Sequence, residues 1–249
     1  MPSQPDLAKI GVREFARRFR NEMIPVNNKI SFFSALPLSE DENKEYLQDP
    51  IAALPSAILD GFPKVAVLLV PYLEKPARKG DNMVVFKEPD GTRRLWAVQW
   101  VSDGNAVLVF AIKDRDVAAC HYDFYGAVAL LLAEHPRGDA LTRFSDLVRD
   151  ELRDHVHGEV NEESWRLKQD LVRRQSDARR DTKLFRGYVR QAFVDSFTLY
   201  LHGICCDIDV DTGPRQLPSR HIRKRLEMLY EVYPPPKGYA VFPEELNGK

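Results

Sequence analysis

Residues 150–159 (DELRDHVHGE) place carboxylates and imidazoles at helical spacing. At about 100° per residue, Glu151 and His155 lie inside or beside the apolar stripe of a predicted helix. If that helix continues past Gly158, Glu159 returns to the same face. The three side chains then form a column at positions i, i+4 and i+8. Such a column on a core-facing stripe is unusual, because buried charges are costly unless they are paired or bind a metal.

A second stretch, residues 193–206 (FVDSFTLYLHGICC), is apolar almost all the way round a predicted helix, as is typical of a helix in a protein interior. Its Asp195 and His202 are two turns apart and share a face. The two helices together supply five candidate metal ligands: Glu151, His155, Glu159, Asp195 and His202. Imidazole with carboxylate suits a divalent metal such as zinc, iron or manganese, and an open coordination position would allow the metal to activate water.

Two other arrangements fit the same residues. In the first, they form a buried hydrogen-bond network without an ion, in which each carboxylate orients a histidine. In the second, the edge of the stripe faces solvent and the side chains do not meet. Because the spacing matches no standard metal motif, we prefer the structural network.

The acid-rich residues 202–218 (HGICCDIDVDTGPRQLP) suggest a calcium loop at first sight. The EF-hand pattern requires glycine at its sixth position and glutamate at its twelfth, where this chain has Thr212 and Pro218. The alternation of acidic and apolar residues over 207–211 instead predicts a short, half-buried strand. Elsewhere the sequence contains no glycine-rich phosphate loop, no GxSxG nucleophile elbow and no HExxH zinc-protease motif.

The composition is that of a globular protein: 249 residues, 44% hydrophobic and 29% charged. A net charge of −1 gives no support to nucleic-acid binding. Three cysteines, two of them adjacent, do not form a conventional disulfide framework, which favours a reducing cytoplasm. No apolar run approaches the ~20 residues of a membrane span. The basic run over 220–225 is predicted to be a solvated helix face or a contact for an acidic partner.

The order of the predicted elements indicates an α+β fold, with an antiparallel four-stranded β-meander in the N-terminal half followed by a mainly helical C-terminal half. We predict a single domain over 1–249. It comprises a proline-rich region with short helices (1–64), the β-meander (65–113), a helical part (114–233) and an extended tail (234–249). The meander is assigned to runs 65–70, 82–88, 93–101 and 106–112, because PDG and SDGN turns separate the later ones.

Two classes of function remain open on this basis. One is a non-enzymatic binding or interaction module whose polar interior is structural. The other is a metal-dependent hydrolase, or a related metalloenzyme, that uses the five candidate ligands on two core helices. The first is preferred, because no catalytic motif is intact in the sequence.

Overall fold

A computed structural model describes residues 9–77, 79–134, 136–174, 181–206 and 215–242. The chain divides into two compact units. The first comprises Met1–Ile51 and Phe62–Ala127, and the second comprises Ala52–Gly61 and Val128–Lys249. The predicted strand over 207–211 and the end of the tail, from residue 243, lie outside the described residues. Within the described part of the chain, no helix combines the length and apolar character needed to cross a membrane.

The first unit is built from nine strands and several short helical segments in its described residues. The strands are β1 (Lys9–Gly11), β2 (Ile24–Pro25), β3 (Ile30–Ser34), β4 (Lys64–Val70), β5 (Tyr72–Glu74), β6 (Met83–Val85), β7 (Arg94–Leu95), β8 (Ala97–Ser102) and β9 (Asn105–Ala111). Helix α1 (Val12–Arg18) follows β1, and the short helices α2 (Glu40–Asn43) and α3 (Asp49–Ala52) follow β3. The N-terminal region therefore contains strands as well as the short helices predicted for it.

A five-stranded mixed sheet has the order β2-β3-β4-β9-β8. Its three central strands, β3, β4 and β9, are parallel, whereas β2 and β8 are antiparallel to their neighbours at the two edges. Leu68 and Val70 of β4 face a core that also contains Val12 and Phe15 of α1. On β9, Phe110 contacts the ring of Phe124 in the next helix. Strands β4 and β9 are thus buried on both faces, which explains their nearly continuous apolar runs.

A second sheet contains four antiparallel strands in the order β1-β6-β5-β7. A four-stranded antiparallel sheet is present, but the predicted meander is wrong in its pairing. Run 65–70 pairs in parallel with run 106–112, and run 93–101 is divided between the two sheets. Only the final hairpin, β8 with β9, has the predicted partners. The prediction assumed that strands adjacent in sequence are also adjacent in the sheet. The continuous apolar run of β4 instead reflects a central position with a strand on each side.

The C-terminal half is mainly helical, as predicted. Its helices are α5 (Val117–Glu134), which begins in the first unit, α6 (Ala140–Arg153), α7 (Glu162–Arg173), α8 (Lys183–Cys205) and α9 (Ser219–Val232). The second unit also includes α4 (Ser56–Gly61). Helix α8 packs against α6, α7 and α9, and its Phe193 meets Phe144 of α6 edge-on at 5.3 Å between ring centroids. This central position explains why α8 is apolar almost all round.

Candidate functional site

Three charged side chains from distant parts of the chain meet in the interior of the second unit. The guanidinium of Arg225 on α9 donates to Glu151 on α6, with Nη2 2.5 Å from Oε2 and Nε 3.2 Å from each carboxylate oxygen. Its other edge donates to Glu159, through Nη1 at 2.8 Å and Nη2 at 3.1 Å. Arg225 is 0% exposed, so both ion pairs are shielded from solvent. This geometry is the strong, bidentate form of an arginine–carboxylate pair.

Two further side chains complete the group around Glu159. Lys168 on α7 donates to Oε1 of Glu159 at 3.2 Å and to the carbonyl of Gly158 at 2.8 Å. The hydroxyl of Tyr188 on α8 donates to the same Oε1. We call Arg225, Glu151, Glu159, Lys168 and Tyr188 the Arg225 cluster. Its two carboxylates are matched by two cations, which is the condition under which buried charges are tolerated.

Helical spacing explains how two members of the cluster reach the interior. On α6, Glu151 lies seven residues after the buried Phe144, two turns along the same stripe. On α9, Arg225 lies three residues after the buried Ile222 and four before the buried Leu229. The basic run over 220–225 was predicted to be a solvated face, and for Arg225 that prediction is wrong. Its position between apolar residues of the stripe is the sequence signal that would have identified it.

Glu159 reaches the cluster by a different route from the predicted one. Helix α6 ends at Arg153, so Glu151, His155 and Glu159 do not form a helical column. His155 takes a left-handed conformation (φ 54°) and is exposed. Beyond this turn, the amide of Glu159 donates to the Arg215 carbonyl at 2.9 Å and its carbonyl accepts from Leu217 at 3.0 Å. Backbone pairing, and not a continuing helix, therefore directs the Glu159 carboxylate inward.

Gly158 makes this close pairing of backbones possible. It has a φ of +84°, and a Cβ atom at this position would lie 2.1 Å from the carbonyl oxygen of Gln216. Only glycine combines that conformation with so near an approach. Gly158 is thus a requirement of the Glu159 backbone pair.

The cluster shifts the pKa values of its members in a consistent way. Burial alone would raise the pKa of Glu159, but the charge and hydrogen bonds of Arg225 and the charge of Lys168 outweigh it and lower that pKa. Burial lowers the pKa of Lys168, with Glu159 opposing the change. Burial and the neighbouring Glu159 raise the pKa of Tyr188 well above its usual value. At neutral pH the carboxylate is therefore ionised and the phenol is protonated, which is the state that their hydrogen bond requires.

Asp195 and His202, the other predicted ligands, lie elsewhere on α8. Asp195 is buried, with Oδ1 accepting from Gln191 at 2.8 Å and Oδ2 without a hydrogen-bond partner among the described residues. Burial raises the pKa of Asp195 to about 6, although Ser164 and the hydrogen bond from Gln191 oppose this. His202 is half-buried in the last turns of the helix. Of the five predicted ligands, the structure brings only Glu151 and Glu159 together, on one guanidinium.

The Arg225 guanidinium lies where a metal between these two glutamates would have to lie. All four carboxylate oxygens accept hydrogen bonds, from Arg225 and, at Glu159, also from Lys168 and Tyr188. No three of the five predicted ligands, all of which are described residues, bring their ligand atoms within 4.8 Å of one another. The network differs from the predicted one in its cation, which is arginine and not histidine.

The first unit contains a cleft of about 890 Å³. One wall is formed by α1 and the turn that follows it, and the other by the ends of β3, β4, β8 and β9. Ala66, Leu68, Val107 and Trp100 give it an apolar floor. Concave, mostly apolar surfaces with a few polar groups at the rim are the usual form of ligand sites.

Several charged side chains line the rim of this cleft. Asp81 is engaged by Arg13, whose backbone amide donates to Oδ2 at 3.1 Å and whose Nε lies 3.9 Å from Oδ1. By contrast, the exposed side chains of Arg17, Arg20 and Lys64 line the cleft and make no hydrogen bond or ion pair with other described residues. The lining also contains three acids, Glu14, Asp81 and Asp103, so its four cations exceed its acids by one. Sequence reasoning missed the cleft, because its walls come from four separate strands and a helix.

Comparison of the chain with protein-family models, with curated proteins and with solved structures returns no match.

Proposed function

We propose that this protein is a non-enzymatic binding module, with the cleft of the first unit as its ligand site and the Arg225 cluster as a structural element. The observation that supports the structural role is that every carboxylate oxygen of Glu151 and Glu159 already accepts a hydrogen bond from a protein donor. A metal or substrate that bridged these carboxylates would have to displace the Arg225 guanidinium that lies between them.

The ligand class follows from the two surfaces of the cleft. Its apolar floor includes Trp100, over which the guanidinium of Arg13 lies at 5.2 Å from the ring centroid. Arg17, Arg20 and Lys64 supply positive charge at the rim. We therefore propose a small organic anion, with a carboxylate, sulfonate or phosphate group at the rim and a flat apolar portion on the floor.

A pair of fluorescent probes tests this proposal directly. The probe 8-anilinonaphthalene-1-sulfonate carries an anionic group on an aromatic frame, and N-phenyl-1-naphthylamine has the same rings without the sulfonate. We expect saturable binding of the sulfonate probe to the folded protein, and binding of the neutral probe at least about tenfold weaker. Reversing two rim charges, in Arg17→Glu with Arg20→Glu, should weaken sulfonate binding by about tenfold. Each exposed charge pair contributes ~0.2–1 kcal/mol, and the double variant replaces two attractions by two repulsions.

The matched control is Arg18→Glu with Lys44→Glu. Both residues are exposed and lie outside the cleft lining, and the pair changes the net charge by the same amount. It should leave the affinity for the sulfonate probe unchanged. Equal affinity for the two probes, or an equal loss in both double variants, would show that the cleft is not an anion site. Circular dichroism of each variant confirms that the fold is retained.

A further inference from the structure

The outer edge of strand β8 can be derived from its pairing with β9. The amide of Ala111 donates to the carbonyl of Trp96 at 2.8 Å, so these two residues form a hydrogen-bonded pair. Hydrogen-bonded and non-hydrogen-bonded pairs alternate along an antiparallel ladder. The next hydrogen-bonded pairs are therefore Val98 with Val109, Trp100 with Val107 and Ser102 with Asn105.

The turn at the end of this hairpin agrees with that register. Asp103 and Gly104 have φ values of 52° and 71°, as a two-residue type I′ turn requires, and such a turn is flanked by a hydrogen-bonded pair. It follows that Ala97, Gln99 and Val101 point their amides and carbonyls away from β9. These three residues form the outer edge of the sheet.

This edge has none of the features that normally prevent a strand from pairing further. Strand β8 (AVQWVS) contains no charged residue and no proline, and its six pairs with β9 run without a bulge. Among the described residues no strand pairs with its outer side, and Val101 is 48% exposed. The opposite edge, β2, is only two residues long and ends in Pro25. Proteins shorten or block edges that must stay unpaired, so the contrast indicates that β8 pairs with another strand.

We propose that the partner of β8 is the β8 strand of a second copy of this chain, paired antiparallel about a two-fold axis at Gln99. In this register Gln99 lies opposite Gln99 of the second copy, and Ala97 lies opposite Val101 of the second copy. Each of these pairs exchanges two backbone hydrogen bonds. On one face of the extended sheet, Val98 meets Trp100 of the second copy, an aromatic with β-branched pair of the kind that stabilises sheets.

The charges around β8 do not oppose a second copy in this orientation. Arg93 and Arg94, which precede the strand, already pair with Glu74 and Glu88. Since β8 itself is uncharged, no like charges face each other along the pair. One strand pair is smaller than a standard interface of ~800 Å² per partner, so the dimer is a weak, reversible one.

Cysteine cross-linking tests the register. In a hydrogen-bonded antiparallel pair the Cα atoms lie ~5.5 Å apart, within the range of a disulfide. Under mild oxidation, Gln99→Cys should give a disulfide-linked dimer well above the signal of the unsubstituted protein. Val101→Cys alone should not, because its counterpart in the second copy lies four residues away along the strand, ~13 Å. An equal mixture of Ala97→Cys and Val101→Cys proteins should again cross-link.

Charge substitution at the same position gives an independent measurement by analytical ultracentrifugation. Gln99→Lys and Gln99→Glu should each be monomeric at concentrations where the unsubstituted protein dimerises, because like charges then lie opposite each other. Mixing the two should restore the dimer. The control Val172→Lys, at a residue 61% exposed on α7, should dimerise like the unsubstituted protein.

Three outcomes would overturn the proposal. They are a strictly monomeric unsubstituted protein at several hundred micromolar, cross-linking of Val101→Cys as efficient as that of Gln99→Cys, and a dimer that Gln99→Lys leaves intact. The last two would place the interface, or its register, elsewhere.

Discussion

Arg225 donates through all three of its guanidinium nitrogens to Glu151 and Glu159 in the interior, and it meets Glu151 from 74 residues away in the sequence. The pair joins α9 to α6, and Glu159 adds the segment that precedes α7. One guanidinium thus connects elements that are distant in the chain. Because both ends of the pair are buried, neither side chain can exchange its partner for water.

The first prediction concerns the removal of this guanidinium. Arg225→Met should lower the free energy of unfolding by ~3–5 kcal/mol, because it leaves two buried carboxylates without their main cation. The control Lys224→Met changes a neighbouring exposed cation on the same helix and should cost less than ~0.5 kcal/mol. Urea unfolding followed by circular dichroism measures both. Similar values for the two variants would contradict a structural role for the Arg225 cluster.

The second prediction uses the pKa of Asp195, which burial raises to about 6. The pKa of this group is higher in the folded chain than its ordinary 3.8, so ionising it costs stability. That cost grows as the pH rises from about 4 through 6 and is nearly complete at pH 7. Asp195→Asn removes the ionisation and keeps the shape. Its stability advantage over the unsubstituted protein should therefore grow by ~1–2 kcal/mol between pH 4.5 and pH 7.

Asp146→Asn is the control for this measurement, since Asp146 is an exposed carboxylate on α6. It reports the effect of the same substitution at a solvent-exposed position. A pH-independent difference for Asp195→Asn would show that the buried carboxylate does not titrate in this range.

The third prediction concerns the close backbone approach at Gly158. Gly158→Ala places a Cβ atom 2.1 Å from the Gln216 carbonyl oxygen, so the backbone pair with Glu159 must open. We expect a loss of more than ~3 kcal/mol in the free energy of unfolding. Gly238→Ala is the matched control, because Gly238 also has a positive φ (+93°) but has no atom within 4 Å of the added Cβ. It should cost only ~1 kcal/mol of backbone strain.

The fourth prediction concerns metal content. Protein grown with added zinc, iron or manganese should contain no stoichiometric metal at the five predicted ligands, because protein donors already occupy the oxygens of Glu151 and Glu159. His155→Ala and His202→Ala should therefore leave the measured metal content unchanged. Stoichiometric metal that is lost in either variant, with the fold retained, would instead support the metalloenzyme.

Local sequence patterns were sufficient to predict several elements of this chain. The Asp103–Gly104 turn predicted the β8–β9 hairpin, since these residues adopt positive φ at low cost. Apolar periodicity predicted a helical part over 114–233, and α5 to α9 lie within it. The same periodicity correctly turned Glu151 toward the interior. These features depend on residues within a few turns of one another.

Local sequence patterns could not predict which distant strands pair with each other. Nothing within a few residues of β4 specifies that it lies between β3 and β9, because the connections to those strands contain other elements. Likewise, Glu159 was expected to face the interior because of a continuing helix. The helix in fact ends at Arg153, and backbone pairing with residues 215–217 places Glu159 in the interior.

By itself, then, the sequence determined that Glu151 lies in or beside the apolar stripe of a helix in the helical half. Only the tertiary structure decided that its partner is Arg225, and that the predicted histidines lie apart from it. The physical reason is that a buried carboxylate requires a counter-charge but does not specify which one. That choice depends on which helix packs against it, and the packing of α9 on α6 is set by contacts between residues more than seventy positions apart.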